Sequence, residues 1–240
     1  MTTSFQRARS AEQRQARRAA IIATAREMLT ELRVAQLSLN ELARRSGLAK
    51  SNVLRYFESR EAILLEIFDQ EYAAWLDALE PALAAAGDGD IEAISAALAG
   101  TAAERPILCE LSASASGVLE QNLSADVAIA YKREASAHAV RLGAIVATRM
   151  DLSAAARLGL AAAVNLGIGG TWAATRRSPG MADAYRRHPE LRVFSLGFET
   201  SLREYFATIL TGLTHREPHV SPEAADLEAI ARAIGPAPTG

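Results

Sequence analysis

The 240-residue chain predicts an all-α protein, an N-terminal three-helix unit holding a helix-turn-helix and then a larger helical body. Three observations carry this. Apolar residues recur at spacings of three and four, and no segment alternates as a half-buried strand would. Residues able to cap helices, Ser10, Ser38, Ser59 and Ser221, stand before periodic segments. Half the composition is hydrophobic, enough for one small and one larger core.

Ser10-Ala11-Glu12-Gln13 can cap a first helix running to about Leu32, with Ile21, Ala25, Met28 and Leu32 on one stripe. Upstream, Arg7 and Arg9 are expected in a disordered arm. Arg14, Arg17 and Arg18 crowd the helix start, where the dipole disfavours cations and an external anion would relieve the cost. No apolar run follows these arginines, so the segment does not read as a secretory signal.

Residues 38–61 read as two short helices hinged at Gly47. Ser38 and Glu41 have the spacing of a capping box, and Leu39, Leu42 and Ala43 share a face. Gly47 can take a positive φ, and Leu48 returns an apolar group to the core. The next helix should begin near Ala49 and carry Val53, Leu54 and Phe57 inward. That leaves Lys50, Ser51, Asn52 and Arg55 outward, as donors for base edges in a major groove. A plain helical hairpin with a solvated face shares the pattern, so charge has to separate the two.

Ser59 can cap a fourth helix over 60–79, with Ile63, Ile67 and Tyr72 or Trp75 inward and Pro81 ending or kinking it. Further helices are expected near 90–102, 105–121, 125–149, 154–175 and 189–213, with breaks at Arg105-Pro106, Asn122 to Ser124, Asp151 to Ser153 and Arg176 to Gly180. Leu158 to Thr175 is 18 residues without a charge, close to the lower length of a membrane span. Asn165, Thr171 and four glycines dilute it, so it reads as a buried or interface helix and no membrane partner is expected. Gly159, Ala163, Gly167 and Gly170 would let another helix approach closely. The final long helix should place Leu191, Phe194, Phe198, Leu202, Tyr205, Phe206 and Ile209 on one apolar stripe. Beyond Leu213, a mobile linker leads to a short helix from Ser221-Pro222-Glu223 to about Ile234.

Residues 1–60 hold 12 Lys plus Arg against 5 Asp plus Glu, whereas the remaining residues hold 14 against 23. The overall charge of −2 therefore hides a basic head on an acidic body. That asymmetry is expected of a nucleic-acid-binding unit joined to a different one, and it makes double-stranded DNA the first partner to consider.

Residues 21 to 65 resemble the DNA-binding domain of the TetR/AcrR family of bacterial transcriptional regulators. The matching residues are Ile21, Ile22, Ala25, Met28 and Leu29, then Ser38, Leu42-Ala43, Gly47-Leu48, Lys50, Phe57, Arg60-Glu61 and Leu64. Ala49 departs from the family's usual Ser or Thr cap, and Leu54 from its usual Tyr, a phosphate contact that Tyr56 or Arg55 would have to replace. The resemblance implies a DNA-binding domain over 1–62, an effector-binding and dimerisation domain over 63–213 and a tail over 214–240. It assigns base edges to Lys50, Asn52 and Arg55, with Ser51 beside them, and phosphates to Ser38, Tyr56 and Arg60. It also implies a homodimer paired through the last two long helices, with recognition helices about 34–36 Å apart on a near-palindromic operator.

Bodies of this family hold an effector pocket. Polar side chains that interrupt apolar faces are the candidates here. Tyr131 and His138 share a face with Val127, Ala135 and Leu142; Asn165 and Trp172 share one with Leu158 and Ala161; Glu110 can sit near the same cavity. For each, a hydrogen-bonded core residue is the competing reading, and for Glu110 a solvated face. Few charges fall in these faces, so an unidentified small-molecule effector should be hydrophobic and uncharged.

Other chemistry finds little footing. Gly167-Ile168-Gly169-Gly170 lacks the spacing of a phosphate loop, no GxSxG or ExxH occurs, and His215, Glu217 and His219 flank Pro218 in an expected linker rather than a metal site. No cofactor, metal or enzymatic activity is expected. Cys109 is the sole cysteine, expected to be a buried inert thiol, and the cytoplasm is the expected compartment. The leading expectation is a ligand-responsive, dimeric DNA-binding repressor. The alternative is an all-helical small-molecule-binding or catalytic bundle without sequence-specific DNA binding.

Overall fold

The computed structural model describes residues 2–194 and 197–219. Its first helix, α1, spans Thr2–Glu31. It therefore begins well upstream of Ser10, and Arg7 and Arg9 lie inside it rather than in a disordered arm. No glycine or proline interrupts residues 2–31, so Ser10 is an interior residue and not a cap. One 3-10 turn, Val34–Gln36, leads to α2, Leu39–Arg45, and α3, Lys50–Val53. Between them Gly47 takes φ +65°, and Leu48 N–H closes back on Ala43 O at 2.9 Å.

Only half of the expected capping box forms. Ser38 Oγ accepts from Glu41 N–H at 3.2 Å, but the Glu41 carboxylate turns to Arg44 and Arg45, whose charge-assisted bonds are stronger than one to a neutral N–H. Ile21, Ala25, Met28, Val34, Leu37, Leu42, Val53 and Phe57 close the small core of this head.

The fourth helix, α4, runs from Arg60 to Ala84, with Ser59 Oγ accepting from Ala62 N–H at 3.1 Å. Pro81 does not end it. A proline one turn from the helix end forfeits a single backbone bond, and Arg149 caps the last carbonyls by donating to Leu83 O and Ala84 O. The first turns of α4 add Ile63, Leu64 and Ile67 to the head core; later turns carry Tyr72, Trp75, Leu76, Leu79 and Leu83 into the body.

The body continues with α5, Ile91–Ala103; α6, Pro106–Ser114, extended by a π turn over Ala115–Leu119; α7, Ala125–Ala147; α8, Ala154–Thr175; α9, Pro179–Arg187; and α10, Phe198–His215. Ser or Asp side chains cap α5, α7, α8 and α9. The expected helix over 189–213 is broken. Ser178 and Pro179 start α9, Pro189 disfavours the α conformation at His188, and only a 3-10 stretch, Pro189–Phe194, precedes α10. Leu191 is consequently 55% exposed and not on the apolar stripe, which Leu202, Phe206 and Leu210 carry.

In the body α10 packs on α5 and α8, α6 on α8, and α7 on α4 and α8. The glycines of α8 permit these approaches: a Cβ at Gly167 would collide with the ring of Tyr205, and one at Gly169 would stand 2.7 Å from Ser112 O on α6. By length and composition α8 could cross a membrane, yet Leu160, Val164 and Ile168 are buried within the bundle. The segment after α10 is docked rather than loose, since Ser153 Oγ donates to Glu217 at 2.8 Å and Pro218 covers Gly159. The helix expected over 221–234 lies outside the described residues.

Candidate functional site

Two regions gather the functional candidates. The first is the outer face of the head. Lys50, Ser51 and Asn52 are exposed on α3, and Arg55 is exposed on the turn that follows. With Ala49 making no side-chain cap, α3 is four residues long and residues 54–56 form a turn. Leu54 continues the αR backbone, and with Val53 and Phe57 one turn apart facing the core it is 41% exposed, a correction to its expected place inside. Tyr56 is half-buried, and beside it Arg14 and Arg17 of α1 line a groove together with Arg55. Three arginines around one groove suit a phosphate, and they bring α1 into the same surface as α3.

Two other arginines serve the fold. Arg18 donates to Tyr56 O at 2.8 Å, pairs with Glu66 and lies 4.2 Å over the Phe57 ring, so it holds the turn behind α3 in place. Arg60, expected to reach a phosphate, is half-buried, donates to Leu37 O at 3.0 Å and pairs with Glu61 at 2.9 Å. Ser38 is exposed, and its Oγ caps α2.

The second region is a cavity of about 450 Å³ between α4, α6, α7 and α8. Tyr131, His138 and Asn165 line it, as does Tyr72. His138 Nε2 lies 2.7 Å from Asp69 Oδ1, and its ring stacks on Tyr72 at 5.2 Å. Lys132 Nζ lies 2.6 Å from Glu120 at the rim. Burial raises the Tyr131 phenol to about 12 and the Tyr72 phenol further still, so both keep their protons at neutral pH.

Glu110 and Trp172, expected at this cavity, are elsewhere. Glu110 is buried between head and body, where it accepts from Val34 N–H at 3.1 Å and from Trp172 Nε1 at 3.0 Å, and pairs with Arg176. Both line a separate cleft at the junction with α1. A second link between the two parts joins Ser124 N–H, at the start of α7, to Glu58 just after the turn at residues 54–56, at 2.9 Å; that bond holds the Glu58 carboxyl below its usual range. Asp69, Tyr72, Ser112 and Glu58 were not singled out as site residues from the sequence. Asp69 and Tyr72, one turn apart on α4, were the only readable signal among them.

Against known families, the model described as tetracyclin repressor-like, C-terminal domain, matches residues 69–217, and that described as bacterial regulatory proteins, tetR family, matches residues 21–67. The chain belongs to the TetR family.

Among its TetR-family relatives, the HTH-type transcriptional regulator EthR of Mycolicibacterium smegmatis is 40% identical over 53 residues, which span 22% of this chain and 24% of that protein. The match thus covers about a quarter of the relative's length. A solved structure of the fatty acid degradation regulator FadR from Bacillus halodurans superposes with a TM-score of 0.51 at 14% identity, covering 81% of this chain and 98% of that one. A TetR/AcrR transcriptional regulator from Thermobifida fusca gives 0.48 at 19% identity, covering 82% and 98%.

Proposed function

We propose that this TetR-family chain is a ligand-responsive transcriptional repressor that binds a near-palindromic operator as a homodimer. The observation that carries the reading is the exposed row Lys50, Ser51, Asn52 and Arg55 beside a groove lined by Arg14 and Arg17, on a basic head joined to an acidic body. The α3 donors and Arg55 read base edges, while Ser38, Tyr56, Arg14 and Arg17 meet phosphates. Residues 1–62 act as the reading head, 63–213 as the sensing and pairing body. The likeness of the body to the family supports pairing of two copies through its last two long helices, α8 and α10.

The cavity supports regulation by a small molecule, whose walls connect to the head by two routes. Its α4 wall continues from the head itself, and its α7 wall starts at the Glu58 contact. A ligand that binds better when α4 and α7 stand in the DNA-incompetent spacing shifts the heads, and only that differential affinity drives release.

Selection of bound duplexes from a random pool by the full chain tests the DNA assignment. The expected result is an inverted repeat with half-sites about 10 base pairs apart and affinity that falls steeply with salt. Salt-dependent binding without sequence preference would overturn it.

A further inference from the structure

The chemistry of the cavity wall is unbalanced in an informative way. Each of its charged groups already has a partner: Asp69 Oδ1 lies 2.7 Å from His138 Nε2, and Glu120 pairs with Lys132. A charged guest would have to break one of these pairs or enter a site of low dielectric without a counter-charge. The wall residues whose polar atoms lack partners are neutral. The hydroxyl of Tyr72, a residue only 5% exposed, and Ser112 Oγ make no hydrogen bond of normal distance and angle among the described residues; the Asn165 side chain stands near the Tyr72 hydroxyl without closing such a bond. Asn165 directs its amide N–H to Ala161 O at 3.3 Å, which leaves its carbonyl oxygen to the cavity side chains. Between these groups the surface is Phe68, Ala135, Leu166 and Ala173.

Buried hydroxyls are ordinarily satisfied, and those left over report either strain or a missing partner. Here two occur on facing helices, α4 and α6, in the wall of one cavity. Tyr72 keeps its proton, so it can donate.

We propose that the cavity takes an uncharged, largely apolar organic molecule whose carbonyl oxygen accepts hydrogen bonds from Tyr72 and Ser112. The inference rests on the ligand-responsive reading and adds the chemical class. Both hydroxyls are sealed behind the lining, so the guest reaches them through a small displacement of α4 against α6. The hydrogen bonds gained there exist only in the bound arrangement, which supplies the differential contact that release from DNA requires. Phe68, edge-on to Tyr72 at 6.1 Å, and the alanines hold the apolar remainder.

Trp75 lies edge-on to Tyr72 at 5.2 Å and so reports events at this wall. Its fluorescence in the full chain should be titrated with four probes of matched length: 2-decanone, decane, decanoate and decylamine. The ketone is expected to bind at least about tenfold more tightly than either charged probe, and Tyr72→Phe and Ser112→Ala should each weaken the ketone about tenfold while leaving decane unchanged, as loss of one hydrogen bond requires. Thermal melts of both variants verify that they fold. Decanoate or decylamine binding as tightly as the ketone, a ketone preference untouched by both substitutions, or no saturable binding by any probe would overturn the proposal. The titration needs no DNA, so a protein that binds the ketone yet never releases its operator would sink the ligand-responsive reading and leave this one standing.

Discussion

The Glu110 carboxylate, carried by α6 in the body, accepts a hydrogen bond from the backbone N–H of Val34 in the head at 3.1 Å. The same carboxylate holds Trp172 and Arg176 of the α8 end, so one buried side chain ties the head to two body helices. Glu110→Ala leaves Val34 N–H and Trp172 Nε1 unsatisfied and should lower stability by about 3 kcal/mol in urea unfolding. Glu110→Gln keeps the shape and one acceptor and should cost about half as much. Because the tie spans head and body, Glu110→Gln should also weaken the effect of a bound ligand on DNA affinity, measured as the ratio of operator affinities with and without it. A Gln variant with wild-type stability and coupling would show the bond to be dispensable.

The arginines of the head divide into readers and supports, which separates two phenotypes. Arg55 is exposed, and it is the backbone N–H, donating to Asn52 O, that ties it to α3. Arg55→Ala should leave the melting temperature unchanged, weaken operator binding about tenfold or more and relax sequence preference at the contacted base pair. Arg18, by contrast, is held by Tyr56 O, Glu66 and the Phe57 ring. Arg18→Ala should lower stability by about 1–2 kcal/mol, with DNA affinity falling as a consequence. Equal effects of the two substitutions on melting would contradict the division.

The head was legible in the sequence because its signals are local. Ser38, Gly47 and Ser59 set caps and a turn within a few residues of themselves. The cavity was half legible: Tyr131 and His138 share one face of α7, but Asp69, Tyr72 and Ser112 join them only through packing of three helices. Glu110 was misplaced for the same reason, since its partner Val34 lies 76 residues away and no periodicity reveals an unpaired backbone N–H. At the chain's other end periodicity itself misled. Leu191 and Phe194 are in phase with Phe198, but Pro189 and the Gly197 cap override that phase.

Burial pushes the Cys109 thiol up to about 12, with its S–H donating to Ala102 O at 3.3 Å. At pH 8 the folded protein should react with iodoacetamide roughly a thousandfold more slowly than a free thiol, and at the ordinary rate once unfolded in urea. The folded state holds this proton more tightly than the unfolded chain does. Its contribution to stability is therefore complete below about pH 8.5 and is lost as pH rises toward about 12. Replacing the thiol by Cys109→Ala should flatten the decline in stability between those limits, measured by urea unfolding. Rapid alkylation of the native protein would refute the burial argument.

Two helical glycines should respond to alanine with opposite signs. In isolation a helical Gly→Ala change stabilises by about 1 kcal/mol, because alanine has less backbone freedom to lose. At Gly100 in α5 the added Cβ would come no closer than 3.8 Å to Glu199 Oε1, ordinary contact, so the gain should appear nearly whole. At Gly169 the Cβ would stand 2.7 Å from Ser112 O and 2.9 Å from its carbonyl carbon. These are backbone atoms of α6 and cannot rotate aside, so α6 and α8 must part along the wall of the cavity. Overpacking of this kind costs about 1–3 kcal/mol, which outweighs the propensity gain. Gly169→Ala should therefore melt lower than wild type while Gly100→Ala melts higher. Because Gly169 and Ser112 both line the cavity, only the former should also change probe affinity. Stabilisation by Gly169→Ala would mean that α6 and α8 do not approach as closely as their backbone contact indicates.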